Sequence, residues 1–190
     1  GRIWIATMGQ GLLKLEGGKE IWVNKTSGLA NLNVNCVAQD RSGNVWFGLN
    51  GSGFQRYRDD RFVYFNNIPL LSSDGIFSFS QDKEGRIWVG TLSEGAGIWD
   101  GKEMKTVGGI HGRVNTILNT RDGKTWLGTH DGLFQYSGGS AVLRKLSDSL
   151  KTGVRSLFED SKGNIWVGCG GAGLFRLTGN EIKYFDQNEG

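Results

Sequence analysis

Three observations in the 190-residue sequence predict an all-β fold built from repeated four-stranded sheets. Five of the seven tryptophans, Trp4, Trp46, Trp88, Trp126 and Trp166, follow one another at spacings of 42, 42, 38 and 40 residues. A glycine stands three residues before each of them: Gly1, Gly43, Gly85, Gly123 and Gly163. No stretch has the 3.6-residue period of an amphipathic helix; short β-branched and aromatic runs alternate with glycine-rich turns instead. Four short strands in each repeat of about 40 residues make the blade of a β-propeller. One such sheet cannot bury both of its faces, and stacking blades radially does.

Composition supports this. Glycine supplies 32 of 190 residues, and proline occurs once; average glycine usage is about 7%. The 21 aromatic residues (7 Trp, 4 Tyr, 10 Phe) supply a core, so the glycine belongs to tight turns rather than to disorder or collagen. The net charge of +3 is small and the signs are interleaved, which argues against a nucleic-acid partner. No apolar run approaches the ~18 residues of a membrane-spanning helix, so no membrane insertion by this segment is expected. Cys36 and Cys169 fit no metal spacing and read as buried free thiols.

Each repeat element has a physical reading. Asp40, Asp82 and Asp160 lie six residues before a repeat tryptophan, and Thr120 takes that place in the fourth copy. Asp-x-x-Gly is a tight-turn signature: the carboxylate caps backbone N–H groups and the glycine takes positive φ. Before the turn runs a strand opening on Val34, Ile76, Val114 or Val154, twelve residues ahead of the tryptophan. After it comes the tryptophan strand. A third strand opens at Leu12, Phe54, Ile98, Leu133 and Leu174, and a fourth follows Gly17-Gly18, Asp59-Asp60, Gly101-Lys102, Gly138-Gly139 and Thr178-Gly179-Asn180. The repeat tryptophans should be buried between blades, each ring lying over glycine backbone of the next. Trp99 reads as core and Trp22 as rim packing.

The string Asp-x-x-Gly-x-Ile/Val-Trp-Val-Gly-Thr followed by Gly-Leu-Phe, clearest at Asp160 to Leu177 and Asp82 to Trp99, resembles the two-component regulator propeller repeat. It departs at Ala6, Thr120 and Cys169, which are turn and packing positions. The resemblance implies the extracytoplasmic or periplasmic sensor region of bacterial hybrid histidine kinases: a ligand-sensing, non-catalytic domain with no cofactor.

Strand direction sets which loops share a face. The first strand of each blade runs toward the Asp-x-x-Gly turn, so the loops between second and third strands and those between blades lie at the opposite, upper end. There stand His111, Arg113, His130, Asp131 and Arg155, the candidate ligand-binding residues, with Glu94, Asn35 and Asn50 beside them. His111, Arg113 and His130 should converge at the junction of the third and fourth blades. Mixed polar groups at a propeller mouth suit a small-molecule or oligosaccharide ligand, and planar guanidinium donors suit an anionic or polyhydroxylated one. A solvated loop surface has the same composition.

Other motifs carry less. Gly168 to Gly173 matches GxGxxG, but a strand follows it where dinucleotide binding needs a helix. Thr120 to Trp126 resembles a sialidase Asp-box one residue short. Glu94, His111 and His130 are the residue types a streptogramin-lyase-like propeller enzyme would use with a metal, in a spacing that matches no motif. A protein-interaction scaffold is the other alternative.

The expected blades are 1–30, 31–70, 71–110, 111–150 and 151–190, about five in all. Four are complete and the first lacks its innermost strand, giving 4 × 4 + 3 = 19 strands. The expectation is a part of a larger ring, of about seven blades, or completion by another chain. The contact between first and fifth blades decides this.

Overall fold

A computed structural model describes residues 1–65, 68, 75–144 and 153–185. The expected joints at 70/71 and 150/151, and the expected chain end beyond the fifth outer strand, lie outside the described residues.

Five antiparallel sheets follow in chain order, each a meander. The first holds β1 (Arg2–Ala6), β2 (Leu12–Glu16) and β3 (Lys19–Val23). The second holds β4 (Val34–Gln39), β5 (Val45–Leu49), β6 (Phe54–Arg58) and β7 (Arg61–Phe65). The third holds β8 (Ile76–Gln81), β9 (Ile87–Thr91), β10 (Ala96–Trp99) and β11 (Met104–Thr106). The fourth holds β12 (Val114–Asn119), β13 (Thr125–Thr129), β14 (Gly132–Ser137) and β15 (Ser140–Arg144). The fifth holds β16 (Val154–Glu159), β17 (Ile165–Cys169), β18 (Leu174–Thr178) and β19 (Glu181–Phe185). These are 19 strands among the described residues, in the expected three-plus-sixteen division. One 3-10 turn, Lys25–Ser27, is capped by Asn24.

Neighbouring sheets contact each other chiefly through their first strands, β4 on β8, β8 on β12 and β12 on β16, so these strands line the inside of the stack. The fourth strands lie outermost. Each interface joins a tryptophan strand to the next sheet. Trp4 packs with Phe47 and Tyr57; Trp46 with Ile87 and Val89; Trp88 with Leu127 and Tyr136; Trp126 with Ile165 and Val167.

The glycine two residues after the tryptophan, present in the four complete sheets where the first has Ala6, admits the next blade's first strand: a Cβ on Gly48 would stand 2.8 Å from the Ile76 carbonyl oxygen, and one on Gly128 2.5 Å from Val154 Cγ1. Both are closer than a Cβ can approach, so glycine here sets the spacing between sheets.

The turn end carries further ties between sheets. The Arg41 amide donates to Gln81 Oε1 at 2.9 Å, and its guanidinium reaches the Asp82 carbonyl oxygen. Arg121 repeats this two interfaces on, between the fourth and fifth sheets, its amide donating to Glu159 Oε2 at 2.9 Å and its guanidinium reaching the Asp160 carbonyl.

The first sheet and the fifth make no extensive contact among the described residues. Their outer faces are bare. Ile3 and Ile5 of β1 are 60% and 40% exposed, where Val45 and Phe47 at the equivalent places in β5 are 5% and 0%. Trp22, 42% exposed, stands across β2 from Ile5, so it belongs to that bare face rather than to a packed rim. On the fifth sheet Phe158 is 64% and Leu174 37% exposed, where Phe54, Ala96 and Leu133, equivalent to Leu174, are all 0%. Trp166 is consequently only half-buried, and Trp4 is half-buried as well, a correction to the expectation that all the repeat tryptophans are enclosed as Trp46, Trp88 and Trp126 are.

Candidate functional site

The upper end is built by a shared irregularity. In each complete sheet the pairing of first and second strands skips one residue: Asn35, Phe77, Asn115 and Arg155. Such a bulge leaves the extra residue unpaired in the ladder. Here it falls one residue inside the upper end of the innermost strand, at the mouth of the stack.

Around this mouth, side chains of different sheets meet. Asn50 Oδ1, the Phe77 ring edge and Asn35 Nδ2 all lie 3.1–3.3 Å from the place a Cβ on Gly75 would take, so glycine leaves them room. The Arg113 guanidinium carbon lies 4.1 Å above the Phe77 ring centroid, a cation–π contact. Asn115 Nδ2 donates to the Val154 carbonyl at 2.8 Å, immediately before Arg155. The Arg155 side chain lies over Gly170, its Nε 3.0 Å from that residue's Cβ position.

Of the sequence-predicted residues, Arg113 and His130 are joined through the backbone, the His130 amide donating to the Arg113 carbonyl at 3.3 Å. His111 precedes Gly112, which bridges to Glu94 of the third sheet. Asp131 follows, its amide donating to Thr129 Oγ1 at 3.0 Å. His111, His130, Asp131 and Arg155 are exposed and Arg113 half-buried. At the junction of third and fourth sheets Gly112 beside His111 meets Glu94, while the His130 carbonyl lies against Gly153 at the entry to the fifth sheet; among the described residues no hydrogen bond or ion pair joins the side chains of the five. Sequence reasoning did not single out Phe77 or Asn115. Their signal was available: they occupy the position eleven residues before the tryptophan, with Asn35 and Arg155.

Clefts also open elsewhere, among them one of about 140 Å³ at the turn end between the third and fourth sheets, beside Asp82, Trp88 and Thr120. One of about 310 Å³ opens at the turn end between the second and third sheets, beside Asp40, Arg41 and Trp46. Another, of about 460 Å³, borders Arg56, Arg58 and Arg61 on the outer edge of the second sheet. Burial pushes the Cys36 thiol up to about 12 and raises that of Cys169, which keeps both protonated at neutral pH. Among the described residues, no three His, Cys, Asp or Glu side chains gather as metal ligands.

The family model described as "Two component regulator propeller" matches residues 28–51, 70–93 and 150–171. Each match runs from just before the first strand to just after the tryptophan strand, and the copy bearing Thr120 is not among them. No curated protein matches the chain. Among solved structures, the chain is similar to PorZ of Porphyromonas gingivalis, a bacterial surface component of the type IX secretion system, at 19% identity and a TM-score of 0.80, over 100% of this chain and 33% of that one. It is similar to the extracellular domain of BT4673 of B. thetaiotaomicron, described as that of a hybrid two component system, at 22% identity and a TM-score of 0.77, over 97% and 26%. A streptogramin B lyase matches at 15% identity and a TM-score of 0.80, over 98% and 65%. At these identities the likeness shows the fold, and the chain spans a third or less of the length of the first two.

Proposed function

The chain carries two-component regulator propeller repeats, and from that premise we propose that it is a non-catalytic sensing module of a bacterial two-component regulator, working outside the cytoplasm. The repeat match in three copies is the observation that carries this reading. The extracellular domains among the solved structures of the same fold support the placement. Ligand at the upper mouth touches side chains of consecutive sheets at once. It therefore favours one packing of neighbouring blades over another, which is how a binding event shifts a population between two states.

The bare faces of the first and fifth sheets fit the same picture. Ile3, Ile5 and Trp22 on one side, and Phe158, Trp166 and Leu174 on the other, stand where every internal interface is covered by another blade. Their occupants are further blades of this same repeat.

A thermal-shift screen of small metabolites and oligosaccharides tests the sensing reading. A ligand that raises Tm, loses its effect in an Arg113 or Arg155 variant and is recovered unchanged supports sensing. Turnover of the ligand supports a lyase-like enzyme instead.

A further inference from the structure

Three polar atoms at the mouth are shielded from solvent and have no hydrogen-bond partner among the described residues: Asn35 Nδ2, Arg113 Nε and Asn115 Oδ1. Buried polar groups are normally satisfied, and each exception asks for an explanation. Two of the three are donors. They belong to different sheets, the second and the fourth, and the Phe77 ring of the third lies between: it borders the Asn35 amide through the space at Gly75 and carries the Arg113 guanidinium on its face. One sheet on, Arg155 occupies the same bulge position. Neither Arg113 nor Arg155 forms a salt bridge among the described residues, a lack they share with Arg41, Arg56, Arg61 and Arg176, whereas Arg2, Arg58, Arg86 and Arg121 are paired.

Two guanidinium groups that form no ion pair among the described residues, an unpaired amide donor and an aromatic ring stand at the upper end of the inner strands of consecutive sheets. Arginine matches a planar, bidentate oxyanion better than any other side chain, and such charge-assisted bonds are the strong ones. From this we infer that the mouth is an anion site whose ligand is a small organic carboxylate, taken by Arg113 and Arg155 with the Asn35 amide as a further donor. The inference deepens the sensing reading and rests on it for the site's role. A carboxylate bridging these groups ties the second, fourth and fifth sheets together across the Phe77 ring, so occupancy is reported directly in how the sheets pack.

The test is an NMR titration of the 190-residue chain with D-glucuronate, and with D-glucose as the uncharged match. The expected result is that glucuronate shifts the amides of Asn35, Phe77, Asn115 and Arg155 and glucose does not. Arg155→Gln, at an exposed position that leaves the fold alone, and Arg113→Gln should each weaken glucuronate binding about tenfold or more, the loss of one charge-assisted bond. Arg58→Gln, on the outer edge of the second sheet, should leave it unchanged. Equal shifts at these residues with glucose overturn the carboxylate assignment and leave the mouth as the sensing site. Glucuronate shifts confined to other residues, or none at millimolar concentration, overturn the anion site. If another ligand from the thermal-shift screen still acts through the upper loops, the sensing reading survives that failure; if none does, both fall.

Discussion

The Trp46 indole nitrogen donates to Asp40 Oδ2 at 2.8 Å, across the turn that joins their strands. The same carboxylate accepts from the Ser42 and Asn44 amides and from Asn44 Nδ2. Trp88 with Asp82, at 2.8 Å, and Trp166 with Asp160, at 3.0 Å, repeat the bond. One carboxylate thus closes the turn and holds the tryptophan indole, which in the second and third sheets fills the next interface. In the fourth sheet Thr120 cannot reach: its hydroxyl is engaged with Asp122 and the Lys124 carbonyl, and Trp126 Nε1 is buried without a partner.

Replacing Asp40 with Ala should therefore cost about 1–3 kcal/mol, because it opens the turn and leaves the Trp46 indole donor unpaired. Thr120→Asp should go the other way, by about 1 kcal/mol, by giving Trp126 the acceptor its counterparts have. Urea unfolding of the two variants checks both signs. A destabilised Thr120→Asp protein would count against the shared role of these bonds.

Stability should fall with acid through the same carboxylates. Hydrogen bonds from the Asn164 and Trp166 side chains hold the Asp160 carboxyl well below its ordinary range. For Asp40, burial works upward, but the bonds from Asn44 and Trp46 outweigh it and the net direction is down. A depressed carboxyl is ionised more readily in the folded chain than in the unfolded one. Its contribution is thus complete above the ordinary carboxylate pKa of about 4 and is lost as pH falls below it. The urea midpoint should be level from pH 7 to 5 and drop between 4 and 2. In Asp160→Asn the drop should be smaller.

Acrylamide should divide the tryptophans. Trp46, Trp88 and Trp126 are 3%, 1% and 6% exposed and should be protected, while Trp22 and Trp166 are reached. Single-tryptophan variants resolve the classes. Protection of Trp166 in the isolated chain would mean that its face is covered by a second copy.

Equivalent positions should respond unequally to the same change. Phe47→Ala empties a filled interface and should cost about 3–5 kcal/mol. Ile5→Ala removes a side chain from a bare face and should stay within about 0.5 kcal/mol. The bare faces should also make the isolated chain associate as concentration rises, and Phe158→Glu should suppress this in sedimentation velocity. A strictly monomeric wild type would contradict the proposed covering by further blades.

The repeat was legible because turn and strand chemistry are local. Glycine at positive φ, the capping aspartate and the tryptophan spacing placed nineteen strands and the ends of the sheets. What lay beyond was whatever depends on the neighbouring sheet. Asp40 read as a turn cap, and its bond to Trp46 requires the ring's orientation, which the next sheet fixes. Trp166 carries the repeat's sequence but not its burial, since burial belongs to a pair of blades. At the mouth, Arg113 and Arg155 were readable from loop placement. Phe77 was not, because one aromatic at a strand start looks like core until the skipped register turns it toward Arg113.

Because the extensive contacts among the described residues run between sheets adjacent in the chain, the fold behaves as a linear chain of coupled units, with stability the sum of blade terms and nearest-neighbour terms. The third sheet, coupled on both sides through Trp46 and Trp88, sits at the centre of that chain, and the outer sheets are coupled on one side only. Amide exchange should therefore be slowest in β8 and β9 and quicken toward β1 and β19, a gradient of opening that runs along the sequence.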